Sequence, residues 1–209
     1  MKCTVVENVK GIRKKGPLHL IRFTTDKHIE FEPGDLVDVT VDTFPKRNRQ
    51  FSIAGHWPDG TYDFIIRDAG SVGNHLCNAK EGDTFTAEFI GGMFHPTEKA
   101  IWISSGSGMA PFRAAILIGK SAGARYFCKL DADDELDEIV GPVGDAHCIY
   151  DSSYEGQKTT LESHIDLTKN LPIFVCGSSR YVTEICSFLS DLGIDSKYIE
   201  TDIYGAATD

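Results

Sequence analysis

Four short stretches carry residue types and spacings suited to chemistry. In RNRQFSIAG, Arg47 to Gly55, a basic patch runs into an apolar strand holding one aromatic and one serine. A guanidinium grips phosphate through paired N–H donors, and an aromatic ring offers a flat face. The stretch reads either as a core strand or as a holder for something planar and phosphorylated. In ISSGSGMAP, Ile103 to Pro111, glycines lie between a strand and a helix. Backbone N–H groups in such a turn approach a phosphate closely, and the helix N-terminus adds partial positive charge. Only Gly106-Ser107-Gly108 is present, short of a full G-x-G-x-x-G, so a plain tight turn is the alternative. DAGSVGNHL, Asp68 to Leu76, is a second glycine-bearing loop feeding a helix, and reads as an ordinary turn or a second phosphate cradle. VCGSS, Val175 to Ser179, puts Cys176 at the carboxyl end of a strand, on the edge where open α/β sheets bind ligands. A small buried hydrophobe is the competing reading of that cysteine.

Two kinds of scaffold must position these stretches. Residues 1 to about 95 hold short β-type segments, CTVVENV, LHLIRFTT, DLVDVTV, QFSIAG, YDFIIRD and TFTAEFI, separated by the turns KKGP, EPGD, WPDG and KEGD. That rhythm predicts a small barrel or sandwich, interrupted by one helix near Val72–Ala79. From about residue 99 strands alternate with helices: KAIWISS, the helix after GSGMAP, ARYFCKL, AHCIYD, a helical TTLESHIDLT, LPIFVCGSS, the amphipathic RYVTEICSFLSDLG and a last strand in SKYIETDIYG. Alternation of this kind predicts a parallel sheet wrapped by helices. FHPTEK, Phe94 to Lys99, reads as the linker.

The 209 residues are 41% hydrophobic and 25% charged, a globular composition with room for two cores. No apolar run approaches the ~20 residues that span a bilayer, and the N-terminus lacks the pattern of a signal peptide. A cytoplasmic protein is the expectation. A net charge of −10 argues against nucleic acid. Residues 1–60 carry ten basic and eight acidic groups, with clusters at Lys10, Arg13, Lys14, Lys15 and at Lys46, Arg47, Arg49, readable as a solvated surface or a docking face. The six cysteines form no C-x-x-C pair and the seven histidines no ligand-like spacing. Reduced thiols and no metal site are expected.

In order and spacing, RQFSIAG, AGSVGNHL, GGMF, SSGSGMAPF, VCGSS and the terminal DIYG resemble the ferredoxin–NADP reductase family of flavoproteins, in its two-domain form without a fused iron–sulfur domain. The resemblance spans nearly the whole chain. It implies an N-terminal antiparallel Greek-key β-barrel that binds flavin, residues 1–96, and a C-terminal α/β parallel-sheet domain that binds NAD(P), residues 97–209. It implies that Arg49 binds flavin phosphate and that Phe51 lies against the isoalloxazine, where the family usually has tyrosine. Ser52 then stands near the reactive flavin nitrogen, with Gln50 and Ile53 of the same strand also implied as cofactor-binding residues. Ser71, Val72, Gly73 and Asn74 would serve the pyrophosphate, although Gly73 stands where the family often has Ser or Thr. Gly106, Ser107, Gly108 and Pro111 would form the nucleotide-phosphate turn, and Cys176 and Gly177 would lie beside the nicotinamide. Tyr204 would cover the flavin, with Asp202 as the site carboxylate and Glu200 as the alternative acid. The implied catalytic set is Ser52, Cys176, Asp202 and Tyr204.

The implied activity is an NAD(P)H-dependent flavoprotein reductase, which passes hydride from nicotinamide to flavin and then electrons to a separate acceptor. That acceptor would be a ferredoxin- or flavodoxin-type carrier or another redox protein. FAD is the implied flavin, with FMN the alternative. Asp131 and Asp133, and the absence of arginine beside Ser152, Ser153 and Lys158, lean toward NADH over NADPH. The rival reading is an electron-transfer subunit or flavin carrier that does not itself turn over free NAD(P)H.

Overall fold

A computed structural model of the chain describes residues 1–11, 17–130, 147–165 and 170–204. Arg13, Lys14 and Lys15, the acidic stretch with Asp131 and Asp133, and the terminal Gly205 lie outside the described residues. Six strands close an antiparallel barrel in the order β1-β2-β5-β4-β3-β6: β1 (Lys2–Lys10), β2 (Leu18–Thr25), β3 (Leu36–Thr40), β4 (Asn48–His56), β5 (Tyr62–Arg67) and β6 (Thr84–Gly91). Helix α1 (Gly70–Cys77) lies between β5 and β6 in the chain. Five parallel strands follow, β7 (Ile101–Ser105), β8 (Arg125–Lys129), β9 (His147–Asp151), β10 (Ile173–Ser178) and β11 (Ile199–Tyr204), in the order β11-β10-β7-β8-β9. They are accompanied by α2 (Ala110–Leu117), α3 (Tyr154–His164) and α4 (Ser179–Asp191). The expected class, a Greek-key barrel plus a parallel α/β sheet, is the observed one. Strand order reverses beside β7, which is the switch point where open sheets of this kind take ligands.

Strand periodicity divides the barrel residues between two cores. On β2, Ile21 and Phe23 point into the barrel, while Leu18 and Leu20 join the core shared with the sheet. On β5, Tyr62, Phe64 and Ile66 point inward and Ile65 outward. Inside the barrel, Phe23 packs 4.4 Å from Phe64 and 5.3 Å from Phe85. Outside it, Trp102, Phe112 and Tyr126 form a second aromatic group, Phe112 standing 5.5 Å from Trp102 and 5.2 Å from Tyr126. This two-sided burial explains why YDFIIR is almost continuously buried rather than alternating.

The FHPTEK connection is pinned. Phe94 is buried edge-on against Phe112 and Phe174, and the Trp102 indole donates to the Thr97 carbonyl at 3.0 Å. Two helices differ in extent from the sequence expectation. Helix α1 runs from Gly70, whose φ of +68° turns the chain directly into it. It stops at Cys77, where the Asn8 amide donates to the carbonyls of Cys77 and Ala79 at 3.1 and 2.8 Å. Helix α3 starts at Tyr154 rather than within TTLESHIDLT, because the Ser153 hydroxyl accepts from the Gly156 N–H and caps it. Residues 166–168 of that stretch lie outside the described residues.

Because Phe112 anchors the core between barrel and sheet, Phe112→Ala is expected to cost about 3–5 kcal/mol. Barrel and sheet should still unfold in one transition, shifted to lower urea, when tryptophan fluorescence and far-UV circular dichroism are followed together.

Candidate functional site

A cleft of about 530 Å³ opens where β4, β5 and the start of α1 face the glycine turn after β7 and the end of β11. The barrel wall contributes Arg49, Gln50, Phe51 and Ser52 from β4, and Ile65, Ile66 and Arg67 from β5. Lys46 and Arg47 stand at its mouth, Ser71 and Val72 come from α1, and Ser107, Asp202 and Tyr204 come from the sheet side. Residues separated by more than 150 positions in the chain thus share one cavity, and Ser52 and Tyr204 touch directly, Oγ to hydroxyl, at 2.8 Å.

The pleat of β4 sets the roles of its side chains. Phe51 is half-buried, packs against the barrel interior 5.6 Å from Phe64, and shows its remaining surface to the cleft. The Arg49 guanidinium lies 6.0 Å from the Phe51 ring, within cation–π range. Ser52, on the opposite pleat, is 3% exposed and faces the sheet. Ile53, expected to bind cofactor, does not line the cleft; it falls on the inward pleat and its side chain belongs to the barrel core.

Helix α1 begins with no side-chain cap and no acid in its first turn. The Arg47 guanidinium donates to Ser71 Oγ at 3.1 Å, which brings a cation to this helix start. Gly73 is buried against the Arg67 carbonyl, and Asn74 donates to Asp68 at 2.8 Å. Neither residue lines the cleft.

The glycine turn Gly106–Met109 is one turn of 3-10 helix leading into α2, with Pro111 in the first turn of that helix. Gly106 adopts φ +55°, and a Cβ there would meet the Arg67 guanidinium at 2.8 Å. At Gly108 a Cβ would stand 2.4 Å from the Cys176 carbonyl oxygen, so only glycine lets the turn close on β10. Beneath the turn, the Ser104 carbonyl accepts from Tyr181 at 2.8 Å and from Gln157 at 3.2 Å, tying the ends of β7, α3 and α4 together. Gly177 is buried against the Tyr181 ring.

The sheet side presents a chain of protic groups. Tyr204 bonds Ser52 and also shares a hydrogen bond with the Cys176 thiol, which lies 3.7 Å from Asp202 Oδ2. Burial pushes the Tyr204 phenol and the Cys176 thiol well above their ordinary values, so both keep their protons at neutral pH. Burial also raises the Asp202 carboxyl, against the opposing pull of the Cys176 thiol and the Ile203 N–H. Glu200 sits on the exposed side of β11 and borders a second groove with Ile90, Gly92 and Met93.

Four cations, Lys46, Arg47, Arg49 and Arg67, line this cleft against the acids Asp38 and Asp202. A chain of net charge −10 therefore holds a locally positive cleft, suited to an anion. Sequence reasoning missed Arg67. Its signal was present in IIRD, a cation closing an apolar strand one residue before a glycine loop. Sequence reasoning also passed over Asp63 and Arg113, both fully buried, which join β5 to α2 at 2.9 Å. Among the described residues no group of three or more metal-ligating side chains occurs, and no helix is long and apolar enough to cross a membrane.

No protein-family model and no curated protein matches the sequence. Solved structures do match. Ferredoxin–NADP+ reductase from Plasmodium falciparum superposes with a TM-score of 0.74 at 13% identity, over 97% of this chain and 95% of that one. The ferredoxin reductase in carbazole 1,9a-dioxygenase gives 0.75 at 20% identity, over 97% and 68%. Flavohemoglobin from Malassezia yamatoensis, solved with bound FAD and heme, gives 0.73 at 17% identity, over 98% and 60%.

The raised Asp202 carboxyl carries a stability consequence. The folded chain keeps this proton at pH values where the unfolded chain has released it, so stability falls as pH rises from 3.8 through the folded value. Asp202→Asn is expected to melt above the wild type at neutral pH. The difference should vanish well below pH 3.8, where both states of the wild type are protonated. Thermal denaturation across that range checks it. The barrel and the sheet together are the two-domain fold of the ferredoxin–NADP+ reductases.

Proposed function

We propose that this chain is an NAD(P)H-dependent flavoprotein oxidoreductase, with residues 1–96 holding a flavin and residues 97–209 holding the nicotinamide nucleotide. One observation carries the reading. A positively lined cleft with an aromatic face and a serine lies at the junction of a barrel strand, a helix N-terminus and the switch point of a parallel sheet. Each of those parts suits a different portion of a dinucleotide. The likeness to ferredoxin reductases and to an FAD-containing flavohemoglobin supports FAD over FMN.

The residues fit such a group. Arg47 and Arg49 supply charge-assisted donors for its phosphates, beside the open first turn of α1 at Ser71 and Val72. Phe51 supplies a flat apolar face, without the hydroxyl of a tyrosine. A bound flavin supplies the two-electron and one-electron chemistry that side chains lack. Ser52 offers its hydroxyl at the cleft wall, and Tyr204 holds that hydroxyl in place and closes the sheet side against water. The Gly106–Gly108 turn and Arg67 form the anion-binding corner for the nicotinamide nucleotide, and Cys176 and Gly177 form the buried wall behind it. The Cys176 thiol, protonated and linked to both Tyr204 and Asp202, positions a proton donor without adding charge.

The finer reading is a ferredoxin-reductase-like enzyme whose electrons leave to a separate carrier protein. Lys46 and Arg47, exposed at the cleft mouth, favour an acidic one. Asp151 at the end of β9, followed by serines rather than arginine, favours NADH over a 2′-phosphorylated nucleotide.

Anaerobic mixing of the FAD-loaded protein with NADH or NADPH tests the reading, with the flavin absorbance as readout. Bleaching is expected, faster with NADH, whereas bleaching with neither leaves the flavin-carrier alternative. Arg49→Ala should weaken FAD binding roughly 10–100-fold, the worth of one charged phosphate contact. Ser52→Ala should retain FAD and slow bleaching about tenfold, the worth of one hydrogen bond near the reacting atoms.

A further inference from the structure

We infer that Arg113 is a positioning residue for transfer between the two bound groups, an inference that rests on the functional reading above. Arg113 lies in the first turn of α2, directly downstream of the Gly106–Met109 turn, and is 1% exposed. Its NH1 donates to the Ala54 carbonyl and to Asp63 Oδ2, each at 2.9 Å. Ala54 is two residues beyond Ser52 on β4. One nitrogen therefore joins the helix that carries the nucleotide-phosphate turn to the strand that carries Ser52. The same turn touches the Cys176 wall through Gly108.

Two further observations mark this as a built contact. A Cβ on Gly55 would stand 2.7 Å from Arg113 NH1 and 2.8 Å from Leu117 Cδ1, so β4 gives up a side chain where the guanidinium enters. Asp63, itself 0% exposed, is oriented from its other sides by Arg22 Nε at 3.0 Å and by the Trp57 indole at 2.7 Å. The Arg113 Nε is buried without a partner, so the arrangement forgoes a hydrogen bond to place NH1 where it is. Buried ion pairs add little net stability over an apolar packing of equal volume. What they add is direction. An apolar contact between α2 and β4 could slide, whereas the guanidinium is tied at two defined acceptors.

The expected signature is therefore a change in rate more than in binding. In FAD-loaded protein, Arg113→Met and, separately, Gly55→Ala should slow single-turnover bleaching by NADH at saturation about tenfold or more, since misplacement by an ångström costs on the order of 100-fold. The nucleotide concentration for half-saturation and the FAD content should stay within about threefold of wild type, because the contacts made to each group are unchanged. Arg113→Lys, which keeps a donor for Ala54, should recover part of the rate. Wild-type bleaching with unchanged rates in Arg113→Met and Gly55→Ala overturns this inference alone. So does a loss of FAD or nucleotide binding that accounts for the whole effect. Failure of the wild type to bleach with either nucleotide overturns the functional reading, and this inference with it.

Discussion

The carboxylate of Asp63 is the point on which the two halves of the molecule are hung. It sits on β5 with no exposure to water, and three donors from three directions converge on it: Arg22 from the barrel, Trp57 from the β4–β5 turn and Arg113 from the first helix of the sheet. Withdrawing a carboxylate from water costs on the order of several kcal/mol, so it is tolerated only where opposite charge and hydrogen bonds surround it. That requirement couples the paired strands β2 and β5 to α2, a helix outside the barrel sheet. Glu7 completes the arrangement by pairing with Arg22 at 3.0 Å nearer the surface.

Around this polar point the contact is apolar. Leu18, Leu20, Ala54 and Ile65 on the outer barrel wall share a core with Trp102, Phe112, Tyr126 and Phe174. A barrel that buries both faces of β2 and β5 cannot expose those strands without losing two cores at once. This shared core sets how the sheet packs on the barrel, and the cleft lies between them. Its walls come from opposite ends of the chain, with β4 on one side and β11 on the other.

Charge within the cleft follows from the same packing. The chain as a whole is acidic, yet four basic side chains are gathered on this one surface. On the sheet side burial holds Cys176 and Tyr204 in their protonated, uncharged forms and raises the Asp202 carboxyl above its ordinary value. An anionic ligand therefore meets positive charge on the barrel side and the uncharged Tyr204 and Cys176 donors on the sheet side.

Much of this was legible in the residues. Strand-forming segments with Gly, Pro and Asp turns, giving way near residue 99 to alternating strands and helices, announced the barrel and the parallel sheet, because periodicity and turn chemistry are local properties. The motif order pointed to the same fold class, and the stretches singled out for chemistry, Arg49–Ser52, Ser71–Val72, Ser107 and Asp202–Tyr204, are gathered in one cleft. The helix limits were less legible, since the start of α3 hangs on the Ser153 hydroxyl and the end of α1 on the side chain of Asn8, four strands earlier in the chain. Tertiary structure alone decided that Ile53 points into the barrel while Ser52 faces Tyr204, that Arg67 lies against Gly106, and that Asp63 finds Arg113 fifty positions further on. Each of those pairings depends on strand register and on which face of the barrel the sheet covers. Register and layer order are set by the simultaneous burial of many distant side chains, which no local window of sequence contains.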